Sequence, residues 1–117
     1  MRKIKGLINL LDKAEDAGHA MLNGRCNTGR LMPKYYARMY GDKLELHHWK
    51  TTILIMSTDA IEYAYVGSKS DVDAIKTAIY YMTSGVKYED VHYYPSTGKG
   101  FIGGKEITNG ENVNIVL

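Results

Sequence analysis

Lys43-Leu44-Glu45-Leu46-His47-His48-Trp49-Lys50-Thr51-Thr52-Ile53-Leu54-Ile55-Met56-Ser57-Thr58-Asp59-Ala60-Ile61-Glu62-Tyr63-Ala64-Tyr65-Val66 is the stretch that decides the fold class. From Lys43 to His48 the side chains alternate, which on a strand puts Leu44, Leu46 and His48 on one face and Glu45, His47 and Trp49 on the other. Lys50 to Met56 is rich in Thr and Ile, as a buried strand is. Ser57-Thr58-Asp59 reads as a polar turn, and Ile61, Tyr63 and Tyr65 alternate with Glu62, Ala64 and Val66 as a third strand.

Helices are expected on both sides of this block. Upstream, Ile4, Leu7, Ile8, Leu11, Ala14, Gly18, Met21 and Leu22 form the apolar stripe of an amphipathic helix over residues 4–22, with Asn23-Gly24 as its stop. Downstream, Ser70 with Asp73, or Ser68 with Asp71, has the spacing of a capping box. Val72, Ile75, Ile79 and Met82 then make the apolar stripe of a second helix that ends by Gly85. Residues 25–34 form a basic connection. From Pro33 to Gly41 the signals compete: Pro33 and Gly41 fit the two ends of a short helix, while Tyr35, Tyr36 and Tyr40 prefer strand. The last third reads as strands at Val86–Tyr94, Lys99–Ile102 and Val113–Leu117, with Asn109-Gly110 as a hairpin signal. The expectation is one α+β domain over residues 1–117, in the order α-β-β-β-α-β-β-β, with a mainly antiparallel sheet packed on two helices.

Composition supports a folded chain. The apolar share is 44%, two prolines and 24% charged residues exclude a disordered or collagen-like chain, and 117 residues suit one domain. Cys26 is the one cysteine, so an internal disulfide is excluded and a reducing compartment expected. No apolar run reaches the length of a membrane span, and the basic start Met1-Arg2-Lys3-Ile4-Lys5 lacks the cleavage signal of a leader; the expected location is cytoplasmic. Residues 1–50 carry ten Lys/Arg against five Asp/Glu, and residues 51–117 carry five against eight. That asymmetry fits an anionic partner, or neutralisation where the two halves pack together.

No catalytic set emerges. His47 and His48 point to opposite faces of a strand and cannot ligate one metal together, so no metal or other cofactor is expected. Cys26 has basic neighbours but no local nucleophile signature. Ser96-Thr97-Gly98-Lys99-Gly100 lacks the first glycine of a phosphate loop and reads as a hairpin turn. Gly67-Ser68-Lys69-Ser70 leads into Asp71 and Asp73, carboxylates that repel phosphate at the position where a double-stranded-RNA-binding domain carries lysines.

The best candidate surface lies between Arg25 and Trp49. Arg25, Arg30, Lys34 and Arg38 are interleaved with Tyr35, Tyr36, Tyr40 and Trp49, pairing groups that hold phosphate or carboxylate with rings that stack or anchor an interface.

Leu44-Glu45-Leu46-His47-His48-Trp49-Lys50-Thr51-Thr52-Ile53-Leu54 and the turn Val66-Gly67-Ser68-Lys69-Ser70-Asp71-Val72-Asp73-Ala74-Ile75 resemble small proteins of bacteriophages and mobile elements of Gram-positive bacteria. The resemblance implies shared fold and origin and carries no site residue. Proteins of that kind include host-takeover and anti-defence factors, among them inhibitors of CRISPR effectors. The expected function is thus a non-catalytic phage-type inhibitor that binds a host defence protein. Nucleic-acid or nucleotide binding through Arg25–Trp49 is the alternative, and a metal-dependent enzyme the third reading. A homo-oligomer built by pairing the C-terminal strand across a two-fold axis is a further possibility.

Overall fold

A computed structural model describes residues 4–85 and 90–117. Helix α1 (Lys5–Ala17) leads directly into strands β1 (His19–Arg25), β2 (Leu31–Tyr40), β3 (Lys43–His48), β4 (Thr51–Met56) and β5 (Ala60–Ala64). Helix α2 (Lys69–Met82) follows, then β6 (Val91–Tyr94), β7 (Lys99–Ile102), β8 (Lys105–Ile107) and β9 (Asn112–Val116). The antiparallel order β1-β2-β3-β4-β5-β9 makes one six-stranded sheet, and β6-β7-β8 a second, smaller one. The architecture is α+β, as the pattern predicts.

Five strands, not three, separate the helices. The apolar stripe continues past the end of α1 because Met21 and Leu22 fit it by coincidence. Gly18 stops the helix by adopting a left-handed conformation (φ 88°) with its N–H on the Ala14 carbonyl. Residues 19–25 then show the two-residue alternation of burial that belongs to a strand. Pro33–Tyr40, where helix and strand signals compete, lies within β2. Pro33 is tolerated beside a bulge, where Tyr35 pairs with Leu22, Pro33 with Asn23, and Lys34 is the extra residue.

One further expectation is corrected, and the structure selects between the two capping registers. Asn109-Gly110 does not close a hairpin, because β8 and β9 belong to different sheets. Instead Asn109 ties that crossing to the end of β5, accepting from Val66 N–H at 2.9 Å and donating to its carbonyl at 3.3 Å. The cap of α2 uses the second register, with Ser68 Oγ accepting from Asp71 N–H at 3.2 Å. The expected strand start at Val86–Glu89 lies outside the described residues.

Both helices cover one face of the large sheet. Leu7, Leu10, Leu11 and Ala14 of α1 and Ile75, Ala78 and Ile79 of α2 meet Ala37, Leu44, Leu46, Leu54, Met56 and Ile61. Each such Leu or Ile contributes roughly 2 kcal/mol by leaving water. The opposite face carries no covering element among the described residues.

Candidate functional site

The meander β1–β4 sets the geometry. Its β1–β2 connection (residues 26–30) and its β3–β4 turn (Trp49 and Lys50) lie at the same end of the sheet. Residues 25–34 and 49–52 contain Arg25, Arg30, Lys34 and Lys50 and no Asp or Glu. Among the described residues none of these four cations forms an ion pair. Arg25 is turned onto the Gly29 carbonyl of its own loop at 2.9 Å, and Lys34 Nζ lies 5.7 Å from the centre of the Tyr35 ring. The two-residue turn has positive φ at both positions, 49° at Trp49 and 72° at Lys50. Hairpin turns of this kind favour Asn-Gly, because a bulky side chain is strained there. Trp49 is anchored nonetheless: its N–H donates to the Lys34 carbonyl at 2.8 Å. Its ring lies over Gly24, where a Cβ would come within 3.3 Å of the indole.

The open face begins beside this end. Register pairs Tyr36 with His47 and with Met21, and Arg38 with Glu45 and with His19, so all six project away from the helices. The Tyr36 ring meets His47 edge-on (5.5 Å, 82°) and stacks against His19 (6.3 Å, 29°). Arg38 covers the Tyr40 ring at 4.5 Å and reaches Glu45 at 3.3 Å, while His47 Nε2 lies 2.8 Å from the other Glu45 oxygen. Hydrogen bonding from His47, supported by the charge of Arg38, holds the Glu45 carboxyl below its ordinary range, against partial burial. Pro33, Tyr36, His47 and Lys50 line a cleft of about 230 Å³ where the open face meets the basic end.

The eight sequence candidates therefore divide. Arg25 ends β1 and Arg30 closes the β1–β2 connection, with Lys34 and Trp49 beside them at the basic end, and Tyr36, Arg38 and Tyr40 stand on the open face. Tyr35 does neither: it faces the core at 3% exposure and stacks on His48 (4.7 Å, 13°). Burial, with Asp71 and Asp73 nearby, pushes its hydroxyl pKa up. Sequence reasoning missed His19, Glu45, His47 and Lys50 as members of the site. The alternation of β3 put Glu45 and His47 on one face, but nothing in the sequence revealed that β1 exists or that its His19 pairs with Arg38.

Other groupings are structural. His48 Nδ1 lies 2.8 Å from Asp71 Oδ1, and Asp71 Oδ2 accepts the Gly67 N–H at 3.0 Å, so the pair pins β3 to the start of α2. The carboxylate only accepts, which places the proton on Nδ1 and leaves the buried Nε2 without a hydrogen-bond partner among the described residues. No hydroxyl or thiol among the described residues is joined to it, so this is no nucleophile–base arrangement. Cys26 Sγ lies 3.1 Å from Thr28 Oγ1, a hydrogen bond that lowers the thiol pKa. Among the described residues no three His, Cys, Asp or Glu side chains converge as metal ligands. No described helix is long and apolar enough to cross a membrane.

At the opposite end of the sheet the charge reverses. Glu15, Asp42, Met39, Met82 and Tyr81 line a cavity of about 570 Å³, with Lys43 on its wall answered by Glu62 at 2.9 Å. The Tyr81 hydroxyl is within hydrogen-bond distance of Asp12 (2.8 Å) and Glu15 (2.5 Å). Burial and these carboxylates together push its ionisation far up.

Comparison of the chain with protein-family models, with curated proteins and with solved structures finds no match.

Proposed function

We infer that this chain is a non-catalytic binding protein that takes single-stranded nucleic acid across the open face of its six-stranded sheet. One observation carries the reading: two stretches at one end of the sheet, residues 25–34 and 49–52, contribute four cations and no carboxylate and adjoin a sheet face bearing the Tyr36, His47 and His19 rings. Rings stack on bases whatever their sequence, and Arg and Lys neutralise the backbone. Labelled single-stranded DNA and RNA, titrated at rising salt, test it. Binding should weaken with salt, and Arg25→Ala with Arg30→Ala should reduce the dependence of log K on log salt by roughly one to two. Failure of DNA, RNA and cyclic nucleotides alike to bind at low salt refutes it.

A second reading uses the same face against a host defence protein such as a CRISPR effector, as a phage-type inhibitor does. Its support is the neutral, aromatic centre of the face, where Glu45 answers both Arg38 and His47, together with the resemblance carried by residues 44–82. Protein interfaces are depleted of free charge at their centres in this way. Co-elution with a purified CRISPR nuclease and loss of its cleavage activity, both abolished by Tyr36→Ala with Arg38→Glu, are the expected results. Measured turnover of a substrate by this chain, with no protein partner found, removes this reading.

A further inference from the structure

We propose that the cleft between Pro33, Tyr36, His47 and Lys50 is a mononucleotide subsite, holding one base against the rings and its phosphate on Lys50. The inference rests on the nucleic-acid reading and adds to it where one nucleotide is seated and by which groups. Four observations support it. First, the cleft, at about 230 Å³, has room for a single base. Second, the Tyr36 and His47 rings stand nearly perpendicular (82°), so a base stacked on one presents its edge to the other.

Third, His47 has a polar atom to offer. Its Nε2 is 2.8 Å from a Glu45 oxygen, and a carboxylate only accepts, so the ring proton of the neutral imidazole is on Nε2. Nδ1 is then an acceptor without a partner among the described residues, suited to an imide or exocyclic amine N–H. Fourth, Lys50 has no carboxylate partner among the described residues and occupies a left-handed turn position (φ 72°) that Asn or Gly fills without strain. Departures from the unstrained choice concentrate at binding sites. The ligand chemistry is a flat ring with N–H donors and one phosphate, supplied by a free mononucleotide or by one unit of a strand.

The test is a titration of the ¹⁵N-labelled chain, followed by NMR, with uridine 5′-monophosphate, uridine, inorganic phosphate, a thymidine dodecamer and an acidic peptide of alternating Asp and Phe. Uridine 5′-monophosphate should shift Tyr36, His47, Lys50 and the indole of Trp49 saturably, and should bind more tightly than uridine or phosphate. Tyr36→Ala and Lys50→Gly should each weaken it roughly tenfold, from loss of stacking and of a charge-assisted contact respectively. Both changes are at exposed or half-exposed positions, and far-UV circular dichroism checks that the variants fold.

If the dodecamer moves these residues and the mononucleotide does not, the source is a strand and the subsite stands. If the dodecamer binds while these signals stay still and both variants bind it like wild type, the subsite is wrong and nucleic-acid binding survives. If no nucleotide or strand binds, both fall. Preference for the acidic peptide over every nucleotide also overturns the proposal and favours a protein partner.

Discussion

Lys50 and Glu45 show how much a single residue decides. Lys50 sits in a conformation that costs a side chain about 1 kcal/mol and glycine almost nothing. Lys50→Gly should therefore raise stability by roughly 0.5–1 kcal/mol, read as a higher urea midpoint, although it removes the ammonium that the nucleotide subsite needs. A change that stabilises the fold while weakening binding separates the two roles. Glu45 has a folded-state pKa below its ordinary 4.5, from its hydrogen bond to His47 and from Arg38. Its contribution is thus present above the unfolded pKa and is lost as pH falls through the folded value. Wild-type stability should drop below about pH 4.5 more steeply than that of Glu45→Gln, measured by urea denaturation between pH 3 and 6. Which face Glu45 and His47 share was legible in the sequence. That Arg38 and His47 would both converge on that carboxylate depends on cross-strand register and was not.

At the scale of elements, two junctions hold the layers together. The start of α2 is fixed to β3 by Asp71, which caps Gly67 N–H and meets His48 in a site where both side chains are about nine-tenths buried. Asp71→Ala leaves His48 Nδ1 and the Gly67 amide unpaired and should cost about 3 kcal/mol, seen in the thermal or urea midpoint. The small sheet is seated where β7 passes the end of β5. A Cβ at Gly100 would come within 2.4 Å of Val66 Cβ and 3.1 Å of its carbonyl oxygen, and neither atom is the end of a flexible chain. Gly100→Ala should destabilise by roughly 2 kcal/mol or more through overpacking, with faster amide exchange in β6–β8 than in β2–β4. The capping spacing before α2 was readable because it is local chemistry. The boundary between α1 and β1 was not, since Met21 and Leu22 extend a helical stripe that only the left-handed turn at Gly18 interrupts.

Over the whole molecule, charge is sorted by the ends of the sheet. The β1–β2 and β3–β4 connections are cationic, while the opposite turns and the end of α1 carry Asp12, Glu15, Asp42 and Asp59. A formal charge of +2 understates the basic end. On a cation exchanger at pH 7, Arg25→Ala with Arg30→Ala should lower the eluting salt concentration more than Lys99→Ala with Lys105→Ala, although both remove two charges. Part of the difference between the chain's halves is answered internally, as Lys43 meets Glu62. Tyrosines of the described residues divide too: Tyr36 and Tyr40 lie on the open face, while Tyr35, Tyr65, Tyr81 and Tyr93 pack in or against the core. By itself the sequence determined the α+β class, the three central strands, the inward side of β3 and the basic, aromatic character of residues 25–49, because each follows from local periodicity or composition. Only the tertiary structure decided that Tyr35 belongs to the core, that His19 and Lys50 join the site, and that the cationic turns share one end. Those facts rest on strand register and on the direction of the meander, which arise from pairings between residues far apart in the chain.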